Sequence, residues 1–231
     1  MPLIQHNNTG PKIVPERPAM QRRIFNLLFA LCLGSAGLLL HLPLRAADEP
    51  PDAMIQRLST SVLDNIRSDK SLQGGDIAHV MSLVDSKIMP SVNFRRMTAS
   101  AVGPAWRQAT PEQQKRLQDE FKLLLVRIYA GALAQVSDQT ILIKPLRAAP
   151  GDKEVLVRTE VRGRGDPIQL DYRLEKTPGE GSGWKIYNLN VLGVWLVETY
   201  RSQFAREISS NGIDGLIQVL SERNKANLAK A

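Results

Sequence analysis

The chain of 231 residues is long enough for one or two domains with a sizeable core. Its formal net charge is +7, and 43% of its residues are hydrophobic and 23% charged, which excludes a disordered or collagen-like protein. A single cysteine and three histidines exclude a disulfide scaffold and cysteine-rich metal centres, and they leave little material for histidine-based catalysis.

Residues 1–47 have the pattern of a secretory signal peptide. Arg22 and Arg23 precede a long apolar run, and small residues follow before the chain becomes polar. We expect cleavage after Ala46 or Ala47, which predicts that the chain is exported.

The remainder, residues 48–231, is expected to be the folded part. His41 and Pro43 interrupt and end the apolar run, which favours a cleaved signal over a permanent membrane anchor. Met20 opens a compact signal by itself and is an alternative translation start. Residues 1–47 hold five basic residues and one acidic residue, so the folded part carries a net charge of +3 rather than +7. A nucleic-acid partner therefore loses most of its support.

Apolar residues at helical spacing predict several amphipathic helices in the first half of the folded part. Asp52 and Asp76 stand at positions that suit the N-caps of the first two helices. Thr110, Pro111 and Gln113 form a capping-box pattern at the start of a long helix.

From residue 139 the apolar pattern changes to a period of two. Ile168, Leu170, Tyr172 and Leu174 alternate with polar residues, which is typical of a half-buried antiparallel strand. Short turns rich in Gly and Pro separate four such runs. The predicted strands are 139–147, 153–162, 167–176 and 183–191.

Helices are expected to resume just after the last strand. The apolar run 194–197 begins the next helix, Asn211 and Gly212 stop it, and one amphipathic helix follows. The sequence therefore predicts an α+β fold with a four-stranded antiparallel sheet and about six helices. The apolar stripes at 117–136 and 194–208 are the candidates to cover one face of the sheet.

The polar residues favour surface pairing over catalysis. His79 has no partner at metal-ligand spacing and is expected to be a surface histidine or one with its hydrogen bonds satisfied, rather than a catalytic one. Gly163, Arg164 and Gly165 lie in a predicted hairpin with no helix after them, so they do not form a phosphate-binding loop. An acid–base enzyme would need carboxylates on the apolar strand face, and no persuasive pair lies there. The apolar surface is either an ordinary core or an incompletely filled ligand cavity, and composition does not distinguish the two.

Four motifs follow one another in an order that resembles a known family. They are 84–94, with Asp85, Pro90 and Phe94; 109–114, with Thr110 and Pro111; 184–204, with Trp184, Gly193 and Tyr200; and 211–216, with Asn211 and Gly212. With the signal peptide, they are similar to the MlaC family of periplasmic phospholipid-binding proteins, also called the toluene-tolerance auxiliary family, over about 52–222. The chain departs from the family pattern at Asn93 and Asn188, where Asp is frequent, and at Leu192 and Trp195, where polar residues are usual.

The resemblance implies a curved antiparallel sheet, similar to nuclear-transport-factor-2 folds, wrapped by helices around an apolar cavity. It implies a periplasmic carrier that shuttles phospholipid between an outer-membrane lipoprotein complex and an inner-membrane ABC transporter bearing an MCE-domain protein. Such a carrier would maintain the lipid asymmetry of the outer membrane. No catalysis, cofactor, metal or nucleic-acid partner is expected, since phospholipid is the cargo. An acid–base enzyme on the same fold and a non-lipid periplasmic adaptor are the alternatives.

The hypothesis for the lipid-binding residues combines helix and sheet positions. The lining would consist of Phe121, Leu125, Ile128 and Tyr129 from the long helix, Val157, Leu170, Tyr172 and Leu174 from the sheet, and Val194, Val197 and Tyr200 at one end. Plain core packing is the alternative for each of them. Arg201 is expected to contact a lipid phosphate or a partner's carboxylate, with a structural ion pair as the alternative.

Overall fold

A computed structural model describes residues 49–149 and 151–228 of the chain. The predicted signal peptide, with its cleavage positions at Ala46 and Ala47, lies outside the described residues. Residues 47–231 form one unit of the chain. Within the described ranges, no helix combines the length and the apolar character that a bilayer-spanning segment needs.

Six α-helices form the helical part of the described residues. They are α1 (Pro51–Ser68), α2 (Lys70–Gln73), α3 (Ile77–Leu83), α4 (Phe94–Val102), α5 (Pro111–Ala134) and α6 (Leu196–Leu228). A π-helical turn (Val84–Ile88) continues α3, and 3-10 turns (Met89–Ser91 and Gly103–Arg107) lie on either side of α4. The backbone of α6 is not helical at Gly212 (φ 67°), where the sequence predicts a stop.

Side-chain caps begin α3 and α5 at the predicted residues. Asp76 accepts the N–H of Ala78 at 2.8 Å, and Thr110 and Gln113 form both bonds of a capping box, at 3.2 and 3.0 Å. Each cap is worth about 1 kcal/mol, because it satisfies N–H groups that the helix leaves unpaired. Asp52 is not the cap of α1; it lies in the first turn, where a carboxylate still interacts favourably with the helix dipole.

Five antiparallel strands form one sheet in the order β1-β2-β3-β4-β5. They are β1 (Thr140–Ile143), β2 (Glu154–Arg162), β3 (Ile168–Lys176), β4 (Trp184–Val191) and β5 (Val194–Trp195). β2, β3 and β4 end where the sequence predicts and begin one residue later. β1 is shorter than predicted, because Pro145 has no N–H to continue the ladder.

The prediction of four strands is wrong by one strand. Val194 and Trp195, predicted to begin a helix, pair with the end of β4 as β5. Leu192 and Gly193 both have positive φ angles, 51° and 86°. Two such residues make the tight turn that closes a β-hairpin, so the chain turns back before α6 begins. The similarity to nuclear-transport-factor-2 folds stays a prediction.

Buried apolar side chains form three clusters. The aromatic cluster lies between α4, α5 and α6 and includes Phe121 and Phe204. The side cluster joins the end of α1 to α2, α3 and α5 and includes Ile66, Val80 and Val126. The sheet cluster packs β2, β3 and β4 against α1.

The helix that covers the sheet is α1. Met54, Ile55 and Leu58 supply the buried helical side of the sheet cluster. The stripes at 117–136 and 194–208, expected in that role, pack mainly against each other and α4 in the aromatic cluster. An amphipathic stripe specifies that a helix face is buried, but it does not specify the partner.

Candidate functional site

One face of the sheet, here called the inner face, is mainly apolar and is the face against α1. The register places Tyr172 of β3 opposite Val157 of β2 and Leu189 of β4. Two residues further along β3, Leu170 lies opposite Val191. Because side chains alternate along a strand, all of these side chains share the inner face.

Exposure increases along β3 from one end of the inner face to the other. Leu174 is fully buried (0%), Tyr172 is 8% exposed, Leu170 is half-buried and Ile168 is 43% exposed. The cover that α1 provides therefore ends between Tyr172 and Ile168. We call the Ile168 side the open end of the inner face and the Leu174 side the covered end. A partly covered apolar face is a surface that an apolar ligand can occupy.

Tyr172 is an ionisable side chain deep on the inner face. Its hydroxyl is hydrogen-bonded to Ser59 of α1 and to Thr159 of β2, and burial raises the pKa of Tyr172 to about 12. The Thr159 hydroxyl donates to the carbonyl of Leu170 at 2.5 Å. The phenol therefore stays neutral at physiological pH and brings hydrogen bonds, but no charge, to the inner face.

Four of the predicted lining residues lie in the aromatic cluster. The rings of Phe121 and Tyr200 meet edge to face with centroids 4.8 Å apart, and those of Phe121 and Phe204 do so at 5.2 Å. Val197 is buried beside them, and Leu125 packs against the cluster while half-buried. These side chains are in contact with neighbouring helices and not with the sheet cluster.

The next predicted positions of α5 are more exposed. Tyr129 is half-buried, and this burial raises the pKa of its hydroxyl. Burial also raises the pKa of Tyr200; Tyr129 adds to this shift and Arg223 opposes it, so the three side chains lie within electrostatic reach. Ile128 on α5 is 49% exposed, and Val194 on β5 is 52% exposed.

The predicted sheet positions form a second group. Val157, Leu170, Tyr172 and Leu174 all belong to, or pack against, the sheet cluster. Val92 packs against both this cluster and the aromatic cluster, so the two groups are neighbours. The sequence-based lining omitted further inner-face residues, which the same period of two would have identified: Ile143 of β1, Ile168 of β3, and Leu189 and Val191 of β4.

Two ionisable residues singled out from the sequence, Arg201 and His79, lie away from the inner face. Arg201 is exposed on α6 beside Gly103, where an added Cβ would lie 3.8 Å from the Arg201 Nε. His79 is exposed, as predicted, and its Nδ1 lies 3.3 Å from the Asp76 carboxylate. Between residues 49 and 228, in the part that the structure describes, no three His, Cys, Asp or Glu side chains converge to hold a metal ion.

The opposite face of the sheet, the outer face, carries paired charges. Arg96 of α4 bonds to Glu154 at 2.6 Å and Glu175 at 2.5 Å, and its guanidinium lies 3.6 Å from the Tyr187 ring centre. The hydrogen bond from Arg96 lowers the pKa of Glu154, with a further contribution from the Tyr187 hydroxyl. The two glutamates lie opposite each other on β2 and β3, so their cationic partner comes from α4 and not from the neighbouring strand.

Asn93 and Asn188, which the resemblance marks as departures from the family pattern, each hydrogen-bond to a glutamate near this outer face. Asn93 caps α4 and donates to Glu175 at 2.6 Å. Asn188 donates to Glu198 at 2.7 Å and accepts the N–H of Val197 at 3.2 Å. An aspartate cannot donate these bonds and would place a second carboxylate against each glutamate.

We expect Asn188→Asp to destabilise the protein by about 2 kcal/mol at pH 7, because the site is buried and the change replaces a donor with a like charge. Burial and Glu198 would raise the pKa of the new carboxyl in the folded state above its unfolded value, and Arg173, which lies opposite on β3 and pairs with Glu198, would offset part of this shift. The destabilisation is therefore complete above the folded pKa and shrinks as the pH falls towards about 4. Urea unfolding at several pH values measures this dependence.

The matched control is Asn211→Asp, which alters the same kind of contact, from Asn211 to Glu207, at an exposed site. Surface changes of this kind alter the unfolding free energy by less than about 0.5 kcal/mol. Equal losses for the two variants, or no dependence on pH, would contradict the assigned network.

A surface cleft of about 420 Å³ lies near the covered end of the sheet. An ion pair between Arg57 and Glu49, at 2.6 Å, forms part of its wall, together with Ser182 and Trp184. Charged walls do not suit an acyl chain. The inner face is therefore the stronger candidate for an apolar ligand.

Comparison with known families and proteins identifies relatives over most of the chain. A family model described as "MlaC protein" matches residues 56–222. The toluene tolerance protein ttg2D of Pseudomonas putida is 29% identical over 173 residues, which are 74% of this chain and 79% of that protein. The intermembrane phospholipid transport system binding protein MlaC of Haemophilus influenzae is 24% identical over 179 residues, 76% of this chain and 83% of that protein.

A solved structure shows the same fold. It is the phospholipid-binding protein from Ralstonia solanacearum in complex with a phospholipid, and it is 49% identical to this chain. The match has a TM-score of 0.73 and covers 77% of this chain and 98% of that one. The similarity thus extends over nearly the whole of the relative's chain.

Proposed function

The chain belongs to the MlaC family, and we propose that it carries phospholipid between membranes as a soluble periplasmic shuttle. Its relatives are named for intermembrane phospholipid transport and for toluene tolerance, and the solved relative holds a phospholipid. In this proposal the acyl chains lie against the inner face of the sheet, and the headgroup stays near solvent at its open end.

The energetics of lipid transfer require an apolar surface of this kind. Each buried methylene contributes about 0.8 kcal/mol, so a tail of about 16 carbons represents on the order of 12 kcal/mol. Free diffusion of a diacyl lipid through water is therefore negligible. A carrier must match the bilayer closely in free energy so that it can both load and unload, which favours a lining of aliphatic side chains over strong polar contacts.

The observation that carries the proposal is the change in exposure along β3. The inner face passes from Leu174 in the core, through half-buried Leu170, to exposed Ile168 without a charged residue. An acyl chain at the open end would thus continue the apolar surface that α1 covers at the other end. The phospholipid complex of the relative supports this assignment.

The proposed lining keeps the sequence-based residues in three groups. Val157, Leu170, Tyr172 and Leu174 form the sheet side; Phe121, Leu125, Ile128 and Tyr129 form the α5 side; and Val194, Val197 and Tyr200 close one end. Ile168 and Val191 are added to the sheet side because they share the inner face. Arg201 is kept as a contact for the headgroup or for a protein partner, because it is exposed.

The proposed partners are those that the family resemblance implies, and the signal-peptide pattern at the N-terminus is consistent with them. We propose that the carrier exchanges lipid with an outer-membrane lipoprotein complex and with an inner-membrane ABC transporter that bears an MCE-domain protein. The signal pattern of residues 1–47 supports the periplasmic location. The acid–base enzyme and the non-lipid adaptor have no specific observation in their favour.

Uptake of lipid from vesicles tests the proposed function. Residues 48–231 are incubated with phospholipid vesicles that contain a small fraction of fluorescent phospholipid, and the protein is then separated from the vesicles. We expect fluorescent lipid to leave with the protein and to saturate at a fixed ratio. Protein that neither contains lipid after purification nor takes it from vesicles would contradict the proposal.

A further inference from the structure

The turn between β4 and β5 presents a leucine in an unfavourable conformation. Leu192 has a φ angle of 51°, and its side chain is 65% exposed. A two-residue hairpin turn with positive φ at both positions favours Asn-Gly, because Asn tolerates the left-handed region and Leu does not. Because the Leu192 side chain is exposed, it makes no buried contacts that would offset the strain of this conformation. The residue therefore points to a role other than stabilising the fold.

Exposed apolar residues collect around this turn. Val194 is 52% and Ile168 is 43% exposed, and with Leu192 they make three of the five large exposed hydrophobic residues in the described part of the chain. The Leu192 N–H donates to the carbonyl of Gln169, next to Ile168, at 3.0 Å. We call Ile168, Leu192 and Val194 the apolar tip.

The apolar tip is continuous with the inner face. Val194 pairs with Val191, and Val191 lies opposite Leu170. Leu170 and Ile168 are two residues apart on β3 and therefore point to the same side of the sheet. Apolar surface thus runs from the exposed turn to the positions assigned to the acyl chains.

The flank of the apolar tip carries arginines that are open to solvent. Arg162 and Arg164 belong to the β2–β3 hairpin, at the same end of the sheet as Ile168, and the Arg164 side chain is 90% exposed. They pair with Glu160 and Asp138 respectively, and the neighbouring residue Asp166 is also exposed. A guanidinium has five N–H donors, so each arginine keeps donors for a phosphate.

We propose that the apolar tip inserts into the interfacial layer of a phospholipid bilayer when cargo is loaded or delivered; this inference rests on the proposed function. Three side chains at the end of a sheet are too few for a stable protein interface, which buries about 1,200–2,000 Å². They suffice for shallow and reversible insertion, whose strength grows with each apolar group that enters the membrane. The insertion would bring the bilayer to the open end of the inner face.

Trp195 makes the insertion measurable. It is three residues from Leu192 in the chain and is half-buried, with its ring on the outer face 3.9 Å from the Arg173 guanidinium, whereas the chain's other tryptophans, Trp106 and Trp184, are each 7% exposed. The probe is a vesicle of mixed zwitterionic and anionic phospholipids, some with a doxyl quencher on the acyl chain. We expect these vesicles to quench and blue-shift the emission of the protein, and vesicles without quencher to produce the blue shift alone.

Leu192→Asn removes the apolar side chain while keeping a residue that accepts positive φ, so the turn is retained. We expect this variant to bind vesicles about tenfold more weakly, and Val194→Thr to have a smaller effect in the same direction. Leu142→Asn is the matched control, because Leu142 is also exposed but lies opposite Glu160 on the outer face. It should bind vesicles like the unchanged protein.

The outcomes separate this inference from the proposed function. Unchanged vesicle binding in Leu192→Asn would overturn the insertion. Lipid extraction is done on every variant. Bound phospholipid in a protein whose apolar tip does not insert would refute the membrane insertion and leave the carrier function intact. The absence of lipid in all variants would refute the carrier function.

Discussion

Leu170→Asp is expected to lower phospholipid occupancy at least about 100-fold while the protein stays folded. Leu170 is half-buried on the inner face, between buried Tyr172 and exposed Ile168. In the free protein, water at the open end can solvate the new carboxylate. An acyl chain would remove that water, and burying an unpaired charge costs several kcal/mol. Lipid extracted per mole of protein gives the occupancy, and the circular dichroism spectrum checks the fold.

The matched control is Leu156→Asp. Leu156 is also half-buried on a central strand, but it lies opposite Arg173 and on the outer face. A carboxylate there has a cationic neighbour and no contact with the proposed lipid surface. We expect lipid occupancy to remain unchanged. Equal occupancy in the two variants would count against the inner face as the lipid site.

Phe121→Ala is expected to lower the free energy of unfolding by about 3–5 kcal/mol, the largest stability loss among these variants. Phe121 is fully buried, and its ring contacts those of Phe94, Tyr200 and Phe204. Its removal leaves a cavity where three helices meet. The midpoint of thermal unfolding should fall by roughly 10 °C for a folded part of this size.

Ile128→Ala, seven residues further along α5, serves as the control for Phe121→Ala. Ile128 is 49% exposed, so its truncation removes little buried surface and should cost less than about 1 kcal/mol. Urea unfolding compares the two variants. A nearly unchanged unfolding free energy in Phe121→Ala would contradict the packing of Phe121 in the aromatic cluster, whereas a change in lipid occupancy would support its place in the proposed lining.

The local elements could be predicted from sequence because each depends on a short pattern. The period of two in β2, β3 and β4 set their ends, and Thr110 with Gln113 set the start of α5. β5 could not be predicted in this way. Leu192 and Gly193 lack the residues expected of a hairpin turn, and the apolar run after them has the composition of a buried helix start.

Tertiary packing was harder to predict, since an apolar stripe carries no information about its partner. The stripe of α5 that contains Phe121 suits a sheet as well as a helix, and the structure places it against α4 and α6. The helix against the sheet is α1, through Met54 and Ile55. Val157, Leu170, Tyr172 and Leu174 do share one face of the sheet, because a strand period fixes which residues lie together.

Two features of the site needed the three-dimensional structure. The gradient of exposure along β3 depends on where α1 ends over the sheet, which no local pattern specifies. The donor role of Asn188 depends on Glu198, and the start of α6 brings the two together. The resemblance predicts that Asn188 departs from the family pattern, and the structure shows this residue donating to Glu198.

Native mass spectrometry of residues 48–231, purified without detergent, tests the carrier function most directly. We predict a mass increase equal to bound phospholipid, with extraction of the same sample giving the headgroup and the number of acyl chains. A protein that has the mass of the polypeptide alone, and that keeps this mass after incubation with vesicles, would contradict the account. The family relationship would then establish the fold and not the cargo.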